Sequence, residues 1–222
     1  MSGHLNGVQA IIRRSYPLAL YTHCASHCLN LALSKACTVP TVRNSLGAVS
    51  ELINFFSRSA KRSRLLEETI NALQEENEMF VTKRRRLKHL CETRWIERHE
   101  SLLAVVELFP AIVRCLEDMQ VDSNAPTARN AAMLLNSFKT CSIIIGLVVA
   151  QHISSILLPL TTLLQSKSID LVDCCSEVGT MVSVLKKYRE TPETSNDIFC
   201  EASVLSEMIG TEVTMPRLAG RQ

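Results

Sequence analysis

From Thr140 to Gln165 the chain carries no acidic or basic residue apart from a neutral His152. So apolar a stretch either lies inside protein or crosses a bilayer, because its hydrocarbon must leave water one way or the other. Gln151, His152, Ser154, Ser155, Pro159, Thr161 and Thr162 interrupt it, and uncharged polar groups are costly in hydrocarbon. The reading is a buried helix pair, about Ala128 to Val149 and Gln151 to Leu164, with no membrane partner.

The rest of the chain agrees with a mainly α fold. It has 222 residues, 46% of them hydrophobic, which is enough for one good-sized core or two small ones. Aromatics are only 5% and Gly and Pro number seven each, which disfavours a turn-rich β-sandwich. Val8, Ile11 and Ile12 mark a helix from Asn6 to Arg14, closed by Tyr16-Pro17. Leu18 to Thr22 is the one candidate strand, and one strand cannot make a sheet. Helical spacing then runs from His23 to Ala36, from Thr41 to Ser57 and, more weakly, from Lys61 to Phe80.

Lys83 to His89 reads as an exposed loop, after which Thr93 caps a long helix whose stripe is Trp95, Leu102, Val106, Phe109, Val113 and Leu116, kinked at Pro110. Val121 to Thr127 reads as a polar linker, Ser168 to Arg189 as a helix, Thr191 to Asn196 as a loop and Ile198 to Ile209 as a short helix before a flexible tail.

Charge is unevenly placed. Residues 1 to 100 hold 15 Lys+Arg against 9 Asp+Glu, and residues 101 to 222 hold 9 against 13. The run Lys83, Arg84, Arg85, Arg86, Leu87, Lys88 puts five positive charges in six residues, which suits a phosphate backbone through counterion release, a nuclear import signal, or simply a solvated loop. Lys61, Arg62 and Arg64 extend that surface if the helices are neighbours. Trp95, the one tryptophan, either packs in the core or stacks on an unpaired base beside Arg94.

On a helix, Cys24, His27, Cys28 and Leu31 share a stripe, either bordering a core or forming a site. Zinc completed by Cys37, His89 or Cys91 is the alternative, but no CxxC pair exists, so no metal or cofactor is expected. Nine cysteines without an apolar leader point to free thiols in a reducing compartment.

The first aspartate is Asp118, although the preceding segment carries a recognisable order of motifs: Met1-Ser2-Gly3, Asn6-Gly7-Val8-Gln9, the Cys24 to His27 CxxH with Leu29-Asn30-Leu31, and Thr93-Arg94-Trp95. That order resembles hAT superfamily transposases, including the zinc finger MYM-type protein 1 group and the repressors of the inhibitor of the protein kinase. Leu160, Leu163-Leu164-Gln165, Asp170-Leu171 and Pro216 to Gln222 extend the resemblance along nearly the whole chain.

The resemblance implies an incomplete edge of an RNase H-like core continuing into a helical insertion domain. Residues 1–38 would be the partial core with the CxxH helix, 39–120 the helices with the basic loop and Arg-Trp motif, 121–192 an insertion-domain segment, and 193–222 a short helix and flexible tail. By the same resemblance His27 lies near DNA, Trp95 stacks on a displaced base and Arg94 faces phosphate.

The family's catalytic Asp/Asp/Glu set, its C-terminal dimerisation segment and its usual zinc-binding modules fall outside this chain, which is therefore expected to be an internal piece. Metal-assisted phosphoryl transfer needs carboxylates to hold its ions. The expectation is a nuclear, catalytically inactive, transposase-derived protein with weak and mostly non-specific DNA binding and no small-molecule substrate. The alternatives are a protein-interaction or self-association scaffold, and a truncated piece of an active transposase.

Overall fold

The uncharged stretch forms one long central helix rather than a pair. The structure, a computed structural model, describes residues 7–19, 21, 24–90, 95–122, 124–166 and 170–213. Met1 to Asn6, Thr22, His23, Cys91, Thr93, Arg94 and the tail from residue 214 lie outside them, as do the side chains of Trp95, Ile96, Glu97, Asp122 and Leu171.

Among the described residues there are ten helices: α1 Val8–Ser15, α2 Ala25–Ala36, α3 Pro40–Ser57, α4 Ala60–Glu76, α5 Trp95–Glu107, α6 Phe109–Asp122, α7 Ala125–Phe138, α8 Cys141–Leu163, α9 Leu171–Glu190 and α10 Pro192–Glu207. The mainly α expectation holds. No strand occurs among these residues, and the candidate strand is corrected: Pro17 and Leu18 lie in a turn closed by Ala19 N–H to the Tyr16 carbonyl at 2.9 Å. Leu18 is 94% exposed, so no apolar cover holds it extended, and Leu20 and Thr22 of that run lie outside the described residues.

Helix α8 touches α3, α5, α7, α9 and α10. It is the one described helix long and apolar enough to cross a membrane, and in this fold that surface meets neighbours on several sides. Its polar residues do not break it, because they bond their own helix: the Ser154 and Ser155 hydroxyls donate to the Gln151 carbonyl at 2.8 and 3.0 Å, and Thr161 and Thr162 to that of Leu158 at 2.8 Å. The break falls instead at Lys139 and Thr140, just after buried Phe138 meets Phe109 edge-on at 5.8 Å.

Other boundaries follow from caps and prolines. Pro40 and Pro192 open α3 and α10, at the position where a missing N–H costs nothing. The linker expected over Val121 to Thr127 shrinks, since α6 runs to Asp122 and the Asn124 side chain caps α7 by accepting from Thr127 N–H at 3.0 Å. At Pro110 the chain breaks rather than kinks: α5 ends at Glu107, Leu108 turns, and α6 starts at Phe109. Gly210, at φ 64°, closes α10 with Thr211 N–H reaching the Ser206 carbonyl at 3.0 Å.

Two apolar clusters result. The larger joins Leu52 and Phe56 of α3, Ile70 of α4, Leu102 of α5, Ile112 of α6, Leu135 of α7, the front half of α8 and Leu205 of α10. The smaller sits on the rear half of α8, where Leu157, Leu160 and Leu164 meet Cys174 and Met181 of α9, with Leu29 and Leu33 of α2 against them.

Helices α3 and α8 approach closely at Gly146. A Cβ added to Gly146 would collide with the Ser45 side chain and lie 2.9 Å from the Thr41 carbonyl oxygen. Gly146→Ala is expected to destabilise the chain by about 1–3 kcal/mol through overpacking. Gly47→Ala, with nothing within 4 Å of its Cβ, should be stabilising by about 0.5–1 kcal/mol. Urea denaturation of the two variants measures both.

Candidate nucleic-acid interface

The basic loop is held in place by glutamates on α5. Glu100 and Glu107 are seven residues apart, so they share a face two turns apart. Arg84 reaches both: its Nε donates to Glu107 at 2.7 Å and its guanidinium to Glu100 at 3.2 Å. Buried Thr82 completes the clasp, donating its hydroxyl to Glu107 and accepting Arg84 N–H at 2.9 Å. The Gln74 amide donates to the Thr82 carbonyl at 2.8 Å and fastens the loop to α4.

The five cations therefore differ. Arg84 is structural, its side chain only 21% exposed. Lys88 pairs with Glu100 at 3.3 Å and Arg86 with Glu67 at 3.6 Å, yet their side chains stay 59% and 75% exposed. Arg85 donates to the Thr82 and Arg84 carbonyls at 3.2 and 3.3 Å, and among the described residues neither it nor exposed Lys83 has an acidic partner. The solvated-loop reading and the phosphate reading thus divide by residue, with Lys83 and Arg85 carrying the least compensated charge.

Burial opposes the charge on Arg84, but the hydrogen bonds from its guanidinium to Glu107 and Glu100 outweigh it and raise its pKa. For Glu100, burial would raise the carboxyl pKa, and the Lys88 and Arg84 donors overcome that and lower it.

Helix α2 presents the CxxH residues differently from a core-bordering stripe. Leu29 and Leu33 face the smaller cluster, while Cys24, His27, Cys28 and Leu31 are exposed. Of the two readings of that stripe, the one in which it borders a core is corrected: one helix face can pack, and the two leucines occupy it. All eight described cysteines are free thiols. Among the described residues no three His, Cys, Asp or Glu side chains group closely enough to hold a metal ion.

The two motif-bearing helices meet where the Arg98 guanidinium donates to Cys37 Sγ at 3.8 Å. Burial pushes the Cys37 thiol pKa up, against the pull of Arg98. Beside this contact a cavity of about 630 Å3 opens between α2, α3 and the start of α5, with Arg43, Gly47 and Leu90 in its lining. Trp95 opens α5, one turn before Arg98. The Trp95 side chain and Arg94 lie outside the described residues.

Sequence reasoning missed the clasp itself. Glu100 and Glu107 were legible as a same-face pair, but nothing local says that Arg84 folds back onto them. It also missed His152, which bridges Tyr188 at 2.6 Å and Glu201 at 2.8 Å and so ties α8 to α9 and α10.

The depressed Glu100 carboxyl gives a pH signature. A carboxylate with a lowered folded pKa stabilises fully above its unfolded value, about 4.3, and that stabilisation is lost as pH falls through the lower folded value. The resonance of the Arg84 Nη1–H that donates to Glu100 should therefore stay protected from exchange at pH 5 and lose protection only on acidification below the unfolded value. Arg84→Gln should destabilise by about 1–2 kcal/mol after allowance for solvent screening, read from the urea midpoint.

No family model matches the chain, and no solved structure matches it. Among characterised proteins it is 26% identical over 220 residues to the human protein named 52 kDa repressor of the inhibitor of the protein kinase, a match covering 97% of this chain and 28% of that protein. The mouse protein of the same name is 27% identical over 221 residues, covering 97% and 29%. The chain is thus similar, along almost its whole length, to a segment of those repressors, and it spans under a third of their length.

Proposed function

We propose that this chain is a transposase-derived, nuclear regulatory segment that binds nucleic acid weakly and with little sequence preference, and that it does not itself cleave DNA. The observation that carries the reading is the clasped loop. Thr82, Glu100 and Glu107 hold the backbone, so Lys83 and Arg85 are displayed without acidic partners, and exposed Arg86 and Lys88 can exchange glutamate for phosphate. Support for the regulatory role comes from the relatives, whose name is that of a repressor. Support for transposase ancestry comes from the CxxH and Thr93-Arg94-Trp95 order, and the loop precedes in sequence the helix that Trp95 opens.

The proposal that this segment does not itself cleave DNA rests on the resemblance alone, which assigns none of the family's catalytic carboxylates to residues of this sequence. Asp118 and Asp173 are exposed on different helices, α6 and α9. A third reading, catalysis by a longer product that contains this segment, concerns that product alone.

A second reading, a protein-interaction scaffold, has its own support. Helices α9 and α10 leave Val172, Val178, Val182, Phe199, Val204 and Met208 at least 40% exposed, more apolar surface than a helix pair needs for its own packing.

Fluorescence titration of single-stranded DNA at several salt concentrations separates the readings. Binding should weaken with salt, and the Lys83→Gln/Arg85→Gln double variant should reduce the log–log slope by roughly 1.4, about 0.7 per phosphate contact. Trp95→Ala should lower affinity for unpaired DNA by about 1–3 kcal/mol. No salt-dependent binding, together with self-association in sedimentation, would favour the scaffold.

A further inference from the structure

We propose that the corner where α3, α4 and α7 meet is a second anion site, in which Arg58 and Arg62 hold a phosphate group. A cavity of about 400 Å3 opens there, with Asn54 and Arg58 from α3 and the turn after it, Arg62 from α4, and Asn130 and Met133 from α7 in its lining. The site goes beyond the loop reading and does not rest on it.

The state of Arg62 is the leading observation. Its guanidinium lies 4.3 Å above the ring of buried Phe55, which fixes the plane of the donors. Its Nε is buried and has no hydrogen-bond partner, and a buried charged donor left unmade is costly. Burial lowers the Arg62 pKa.

Four other arginines pair with glutamates: Arg64 with Glu68, Arg84 with Glu100 and Glu107, Arg86 with Glu67, and Arg114 with Glu76. Among the described residues neither Arg58 nor Arg62 has such a partner, although they stand four residues apart at one cavity. That is a shortage of anion in one place.

The chemistry of the lining selects the ligand. Two guanidiniums and the carboxamides of Asn54 and Asn130 offer more donors than one carboxylate can accept, whereas a phosphate presents several acceptor oxygens and up to two negative charges. Glu51 also lines the cavity. It opposes an anion, and against two arginines it leaves the lining net positive. Arg86 of the basic loop lines a neighbouring hollow with Ser57 and Ser63, which adjoin Arg58 and Arg62 in the chain, so the phosphate could be a strand's phosphodiester as well as a free ion or monoester.

The test is thermal unfolding of the whole chain in inorganic phosphate against sodium chloride of equal ionic strength. Phosphate should raise the midpoint above the chloride control by about 2 °C or more at concentrations several times its Kd. Arg58→Gln and Arg62→Gln should each remove most of that shift, and Glu51→Gln should enlarge it. The opposite sign for Glu51→Gln keeps the test decisive if Arg62→Gln folds poorly.

Lys83→Gln/Arg85→Gln should leave the shift intact, which separates this site from the loop. If Arg58→Gln also weakens binding of a short oligodeoxythymidine, the phosphodiester is the source. If the oligonucleotide is unaffected while phosphate still stabilises, the ligand is a free phosphate or monoester. No stabilisation beyond chloride, or an unchanged shift in the Arg58→Gln/Arg62→Gln double variant, overturns the proposal.

Discussion

The fold depends on how closely α3 and α8 approach at Ser45 and Gly146. Ser45 is fully buried, and its hydroxyl lies 2.8 Å from the Ile143 carbonyl and 2.9 Å from that of Thr41, so a single donor can serve either helix. Gly146 has no side chain to hold the backbones apart. With both residues small, Val49, Leu52 and Phe56 of α3 reach the same core as Ile144, Leu147 and Val148 of α8. A bulkier residue at either position would lever the helices apart and open space throughout a core packed at organic-crystal density. Because α8 carries both apolar clusters, the seam also fixes where α2 and α9 sit, and hence where the CxxH face points.

The basic loop shows why counting charges is a poor guide to binding. Five cations in six residues suggest one uniform patch, but the fold spends Arg84 on two glutamates and half-commits Arg86 and Lys88. Internal pairing at exposed positions is worth little and exchanges readily with a phosphate, whereas a partly buried pair keeps its partner. The clasp also removes backbone freedom before any ligand arrives, so less ordering entropy opposes binding. The outcome is a modest, pre-shaped set of charges, which supports the proposed weak and non-specific binding.

Helix existence was legible almost throughout, because the apolar spacing of Val42, Leu46, Val49, Ile53 and Phe56 and the uncharged run of α8 are strong local signals. Boundaries were less so. The start at Gln151 looked like a break between two helices, but the Gln151 side chain bonds Ser155 within a single helix; Pro110 looked like a kink, but with Leu108 in a turn it separates two helices. The candidate strand failed because extended backbone needs a partner, which local sequence cannot supply. In the site, the basic residues were legible one by one. Their division into structural and displayed cations was not, since Arg84 and Glu107 are far apart in the chain and only folding joins them. The unpaired arginines of the α3–α4 corner were hidden for the same reason: pairing is a tertiary property.

Amide hydrogen exchange of the chain with and without single-stranded DNA tests the central claim most directly. The account predicts added protection over residues 82–90 and the first turns of α5, with α9 and α10 unchanged. Unchanged exchange in the loop, with protection confined to α9 and α10, would contradict it and transfer the function to the apolar C-terminal helices.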